Sequence, residues 1–150
     1  MLTLRQIQSE VDRLAQQAGL EKTELPTYGK ETSRDFGYPH IEVDGTHYHY
    51  VVVERGAVQS RKSTTQIDEL LYWIFEGVTS SMGFAYELAH RIEDRDGRRI
   101  AFAKQIELMT AISPELGARV SRKIDEILRI APYDDERIRA VNRMRRGITT

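Results

Sequence analysis

Residues 39–54 constrain the fold most, because two runs typical of β-strands flank an Asp-Gly pair there. The runs Pro39–Val43 and Thr46–Glu54 are rich in β-branched and aromatic residues and alternate in polarity, as half-buried strands do. An Asp-Gly pair between such runs favours a two-residue type I′ turn, whose two central residues need positive φ. We therefore predict a β-hairpin with Asp44 and Gly45 at its turn.

The register of this hairpin sorts its side chains onto two faces, because successive strand residues point to opposite sides. A two-residue turn places Ile41 opposite Tyr48. We predict that the first face lies on the core, and that it carries Ile41, Val43, Tyr48, Tyr50 and Val52. We predict that the second face points outward, and that it carries His40, Glu42, His47, His49, Val51 and Val53. Because a two-stranded ribbon alone is marginally stable, we also expect a third strand at Val58–Ser63.

Helical periodicity dominates the chain on both sides of the strands. The predicted helices span about residues 4–18, 65–92, 100–112, 114–131 and 136–146. Thr3 can cap the first helix, and Ser113 followed by Pro114 starts the fourth. Gly77 and Gly83 weaken the middle of the second helix, where a kink or break is expected. Residues 20–38 predict a loop anchored by Phe36 and Tyr38, and the residues beyond Gly147 are expected to fray.

This arrangement indicates an α+β fold, because the strands cluster in one segment and the helices lie elsewhere. The expected architecture is a small antiparallel sheet, a hairpin plus a third strand, flanked by about five helices. A chain of 150 residues with 40% apolar and 30% charged side chains suits one globular domain, so residues 1–150 are predicted to form a single domain.

Several function classes are disfavoured by what the sequence lacks. It contains no cysteine, which excludes disulfides, thiolate metal sites and a cysteine nucleophile. It has no glycine-rich phosphate loop, no Gly-x-Ser-x-Gly elbow and no His-Glu-x-x-His helix, so no enzyme activity and no cofactor are expected. No signal peptide or membrane span is recognised, which predicts a cytoplasmic protein with no membrane partner.

The charge is uneven, with nine basic and five acidic side chains in residues 119–150 of a chain whose net charge is −1. The basic end could contact an acidic protein or a nucleic acid. Nucleic acid is not the expected partner, because phosphate binding usually needs a strongly basic domain.

The histidines of the hairpin form the sharpest local pattern. His40, Glu42, His47 and His49 are predicted to share the second face, where side chains on paired strands lie ~5 Å apart. Imidazoles and a carboxylate at that spacing could bind a divalent metal such as Zn²⁺, in a metal-dependent enzyme or sensor. The alternative is an ordinary polar surface without a metal. Arg55, next to the hairpin's end, could bind a carboxylate or form a salt bridge at a turn.

A family resemblance points to a function. The run His47–Gly56, then Arg61, Thr64-Thr65 and the block Asp68–Phe75, resembles the immunity protein 63 family of bacterial polymorphic toxin systems. The similarity extends over about residues 25–136, through Pro39–Gly45, Tyr86-Glu87-Leu88, His90-Arg91-Ile92 and Pro132–Asp135. It implies a protein that binds a cognate bacterial toxin domain and neutralises it. We expect it to do so by occluding the toxin's active site or a surface that the toxin needs.

The resemblance supplies no catalytic or binding residues, so the contact surface is predicted from the hairpin. The expected contact residues are His40, Glu42, His47, His49 and Arg55. The basic last helix is the second choice for this surface.

Overall fold

The computed structural model describes residues 1–147 and has an α+β fold with five helices and a mixed four-stranded sheet. The strands are β1 (Thr27–Tyr28), β2 (Pro39–Val43), β3 (Tyr48–Glu54) and β4 (Ala57–Thr64). The helices are α1 (Leu4–Gln17), α2 (Ile67–Ala89), α3 (Arg98–Ile112), α4 (Pro114–Ile130) and α5 (Asp135–Arg145). The chain divides into two compact units, Met1–Val78 and Thr79–Thr150. The fraying predicted beyond Gly147 concerns residues outside the described range.

The sheet of the first unit has the order β1-β2-β3-β4, which confirms the predicted third strand and adds a fourth. The added strand, β1, pairs in parallel with β2, so the expectation of a three-stranded antiparallel sheet was incomplete. Two residues are too short for polarity to alternate visibly. Strand β1 therefore has no periodic signal, and this stretch was predicted to be a loop.

The hairpin turn differs from the prediction. Val43 lies opposite Tyr48 and Ile41 opposite Tyr50, so the loop contains four residues, 44–47, and the register is shifted by two. The cause is the Asp44 carboxylate, whose Oδ1 accepts hydrogen bonds from the amides of Thr46 (2.9 Å) and His47 (2.8 Å). A shift of two residues keeps every side chain of the strands on its predicted face.

The type I′ geometry occurs instead at the next turn, between β3 and β4. Arg55 and Gly56 are its central residues and have φ of 54° and 75°. Positive φ at both positions matches the right-handed twist of the strands, so this two-residue turn joins them tightly.

The core of the first unit lies on the first face of the sheet. Its buried residues include Ile7 and Val11 of α1, together with Ile41, Tyr48, Leu70 and Phe75. Thr3 begins α1 with a capping box, in which its hydroxyl accepts from the Gln6 amide and the Gln6 side chain accepts from the Thr3 amide. The Leu2 amide also donates to the Tyr48 hydroxyl at 2.8 Å, which ties the start of α1 to β3.

The prediction for the middle of α2 was a kink or a break near its glycines. Helix α2 continues from Ile67 to Ala89, so no break occurs there. Both glycines lie at close contacts. A Cβ on Gly77 would lie 2.8 Å from the Tyr50 hydroxyl, and one on Gly83 would lie 2.5 Å from the Ala101 carbonyl oxygen. These residues therefore allow close packing, which outweighs their low helix propensity.

In the second unit α3 and α4 pack closely across Gly117, where a Cβ would lie 2.8 Å from Thr110 Cα. The Ser113 hydroxyl accepts from the Leu116 amide and Pro114 follows, as predicted for the start of α4. A network around buried Asp96 joins the segment before α3 to the segment before α5. The Asp134 amide donates to the Asp96 carboxylate (3.1 Å), and the Asp96 amide donates to the Asp135 carboxylate (2.8 Å).

Candidate functional site

The second face of the sheet holds three of the five predicted contact residues. His40 lies beside Val51 and Arg61 in one row, and Glu42 lies beside His49 and Ser63 in the next. His47 stands in the loop at the end of this face. Arg55 lies beyond the opposite end of β3, which at about 3.3 Å per residue is ~20 Å away. The predicted residues therefore form two separate groups.

His40 is buried, with 1% of its surface exposed, so the expectation that it faces solvent was wrong. The cause is the connection between the parallel strands β1 and β2, which has to cross one face of the sheet. Thr27 lies in the row of His40, and its hydroxyl donates to the carbonyl of Thr32 in that connection (3.1 Å). The connection therefore crosses the second face, which also accounts for the complete burial of Val51.

Glu42 links the buried histidine to the surface. Its Oε1 lies 2.9 Å from His40 Nε2, and its Oε2 accepts from Arg61 Nη1 at 3.0 Å. Burial alone would raise the pKa of Glu42, but the hydrogen bonds from His40 and Arg61 outweigh it and lower the pKa. Nδ1 of His40 has no hydrogen-bond partner within residues 1–147.

His49 and Asp44 form a second polar group at the loop end. His49 Nε2 lies 2.7 Å from Asp44 Oδ2, and Nδ1 lies 2.7 Å from the Ser63 hydroxyl, so both ring nitrogens are engaged. The His47 ring stacks beside His49 with centroids 6.2 Å apart. Hydrogen bonds from the amides of His47 and Thr46, then from His49, lower the pKa of Asp44. The group is therefore a hydrogen-bonded polar surface.

This geometry does not assemble the alternative metal site. His40 pairs with Glu42 and His49 pairs with Asp44, but no three His, Asp or Glu side chains in the described part of the chain form a group that could hold a metal ion. A protein zinc site needs at least three such ligands. These contacts hold Glu42, Asp44 and His49 in fixed positions.

The basic last helix was the second choice for the contact surface. No residue of α5 is buried, so its arginines lie on the surface. Arg146, which follows this helix, pairs with Glu93 at 2.6 Å, and Arg99 pairs with Asp135 at 3.1 Å. Some of the positive charge at this end is therefore neutralised within the second unit.

The central part of the chain is similar to a known protein family. The model of immunity protein 63 matches residues 44–126, more than half of the chain. The chain belongs to the immunity protein 63 family. No curated protein and no solved structure matches it.

The immunity protein 63 match begins at Asp44 and ends within α4, a narrower range than the resemblance suggested. His47, His49 and Arg55 lie inside this segment, whereas His40 and Glu42 precede it. In the described residues of this family member, no helix is both long enough and apolar enough to cross a membrane.

Sequence reasoning missed one surface feature. Phe36 and Tyr38 were predicted to anchor a loop, but 80% and 52% of their respective surfaces are exposed. The available signal was Gly37 between them, because glycine marks a turn and turns lie at the protein surface.

Proposed function

We propose that this chain is an immunity protein that binds a cognate bacterial toxin domain and neutralises it by occluding a surface the toxin needs. Family membership carries the proposal, since the matched segment spans the hairpin loop, β3, β4, α2, α3 and most of α4. Residues 1–150 would act as one immunity domain, in the cytoplasm of the cell that it protects.

The polar pairs of the second face support action by binding rather than by catalysis. Glu42 is held between His40 and Arg61, and His49 is held between Asp44 and Ser63. Groups fixed before binding lose little conformational entropy when a partner docks, and fixed charges favour complementary partners. We propose Glu42, His47 and His49 as contact residues, positioned from below by His40, with Arg55 contacting the toxin separately.

Co-expression tests this proposal. Each candidate toxin domain encoded beside the gene is induced in a bacterial host, with and without the chain. The proposal predicts that one of these toxins kills the host alone and is tolerated when the chain is present. A toxin domain from an unrelated locus serves as the control and should remain lethal. If every neighbouring toxin stays lethal in the presence of folded chain, the immunity function is wrong.

A further inference from the structure

Three residues other than glycine at one end of the sheet have left-handed backbone conformations. Asp35, Phe36 and Arg55 have φ of 56°, 60° and 54°. Residues other than glycine rarely adopt positive φ, and bulky ones do so least, because Cβ crowds the neighbouring carbonyl. Such strain clusters at functional sites, where the surrounding structure enforces it.

Hydrogen bonds hold this strained segment against the β3–β4 turn. The Asp35 carboxylate accepts from the Gly56 amide at 3.1 Å, and the Gly37 amide donates to the Val53 carbonyl at 2.8 Å. Phe36 lies between these two attachments, so its backbone is fixed on both sides. One side-chain hydrogen bond and one backbone hydrogen bond therefore fix this segment, while the ring of Phe36 is exposed to solvent.

Several apolar side chains are exposed at this end of the sheet, next to a turn that carries a charge. We call Arg34, Phe36, Tyr38, Arg55 and Val58 the aromatic tip. Phe36 is more exposed than Tyr38, and Val58, opposite Val53 in the sheet, is 56% exposed. Rigid aromatic residues and arginines are the side chains that most often dominate protein interfaces.

The charges of the aromatic tip indicate what its partner carries. Arg55 is exposed and makes no ion pair within residues 1–147, and the guanidinium of Arg34 lies over the Tyr38 ring at 5.7 Å, likewise without a carboxylate. The Asp35 carboxylate is occupied by the Gly56 amide. A partner with carboxylates around an apolar cleft would complement this surface.

We propose that the toxin domain docks on the aromatic tip, taking Phe36 into an apolar cleft whose rim carries carboxylates that pair with Arg34 and Arg55. This inference rests on the proposed function, because the occupant is the toxin. It adds a second contact region to the second face and makes Phe36 the central anchor.

Substitutions by asparagine at positions 36 and 55 test binding without destabilising the fold, because both positions have positive φ. Asparagine tolerates positive φ better than phenylalanine or arginine does, and it suits the first central position of a type I′ turn. Phe36→Asn and Arg55→Asn should each raise the melting temperature of the free chain, by about 2 °C for a chain of this size. A fall in the melting temperature of Phe36→Asn would show that the ring stabilises the fold, which would overturn the inference.

Binding is measured by calorimetry with an inactivated form of the toxin domain that the wild-type chain neutralises in co-expression. Phe36→Asn should weaken binding by about 30-fold or more, as expected for a central anchor. Arg55→Asn should weaken binding at low salt, and the difference from wild type should shrink as salt screens the charges. Ile130→Ala and Arg129→Gln, which change exposed residues of α4, are the matched controls and should bind as wild type does.

The outcomes separate the two proposals. If the wild-type chain neutralises a toxin and Phe36→Asn binds it equally well, docking on the aromatic tip is wrong while the immunity function stands. If the wild-type chain neutralises no neighbouring toxin, the proposed function fails, and the occupant named here fails with it. A wild-type chain that dimerises, with Phe36→Asn monomeric, would identify the tip as a contact between copies and would also overturn docking of the toxin.

Discussion

Replacing Asp96 with asparagine should destabilise the second unit in a way that depends on pH. Asp96 is 7% exposed, and its carboxylate accepts from Arg98 Nη2 at 2.8 Å, from the Arg98 amide and from the Asp134 amide. Arg98 in turn donates to the carbonyls of Ala131 and Pro132 at the end of α4. Loss of the negative charge therefore weakens a network that joins three segments.

The size of the effect follows from the pKa of the carboxyl group. The Arg98 side chain, aided by the two amides, lowers the pKa of Asp96 to about 2 from an ordinary value of 3.8. That difference corresponds to about 2 kcal/mol of folding free energy. Because the folded-state pKa is the lower one, the stabilisation is complete above about pH 5. It declines as the pH falls below 4, and only a few tenths of a kcal/mol remain near pH 2.

Urea denaturation of wild type and Asp96→Asn at pH 7, 4 and 2 measures this contribution. The variant should be less stable by about 2 kcal/mol at pH 7, and the difference should shrink steadily towards pH 2. Asp125→Asn, which changes an exposed carboxylate of α4, is the control and should change stability by less than about 0.5 kcal/mol at every pH. A difference for Asp96→Asn that is as large at pH 2 as at pH 7 would refute the electrostatic reasoning.

Three further experiments test the packing of α2, the start of α1 and the metal hypothesis. Gly83→Ala should destabilise the chain by about 1–2 kcal/mol in urea denaturation. The reason is that overpacking against the Ala101 carbonyl exceeds the gain of about 1 kcal/mol in helix propensity. Ser81→Ala, on the exposed side of α2, is the control and should not destabilise the chain. Thr3→Ala should lower the free energy of unfolding by about 1 kcal/mol and the melting temperature by about 2–4 °C. Thr3→Ser should retain the cap. An equal loss of stability in both variants would contradict the capping role. Excess EDTA should leave the melting temperature of the purified chain unchanged, because the described residues form no group of three metal ligands. A clear shift in the melting temperature would support the metal hypothesis.

The parts of the fold that local sequence encodes were predictable. Helix periodicity located α1 and α4, and the caps at Thr3 and Ser113 located where these helices begin. The alternation of β-branched residues located β2 and β3. The hairpin loop was misjudged because the Asp44 side chain binds two loop amides, and this lengthens the turn from two residues to four. The Asp-Gly pair signals a turn without specifying how the aspartate bonds.

The features that escaped prediction depend on tertiary structure. Two-residue β1 has no sequence period, yet its parallel pairing with β2 sends a connection across the second face and buries His40. Gly77 and Gly83 read as helix-weakening residues, because a sequence shows propensity but not the neighbour that requires a small residue. Phe36 was predicted to anchor a loop. Its left-handed backbone and its exposure depend on hydrogen bonds to a turn about 20 residues away, which local sequence does not show.

Titration of the purified chain into an activity assay of the purified cognate toxin domain tests the central claim most directly. Occlusion by a bound immunity protein predicts that toxin activity falls in proportion to the chain added and reaches its minimum at a fixed stoichiometric ratio. Toxin activity that stays constant in a large excess of folded chain would contradict the account.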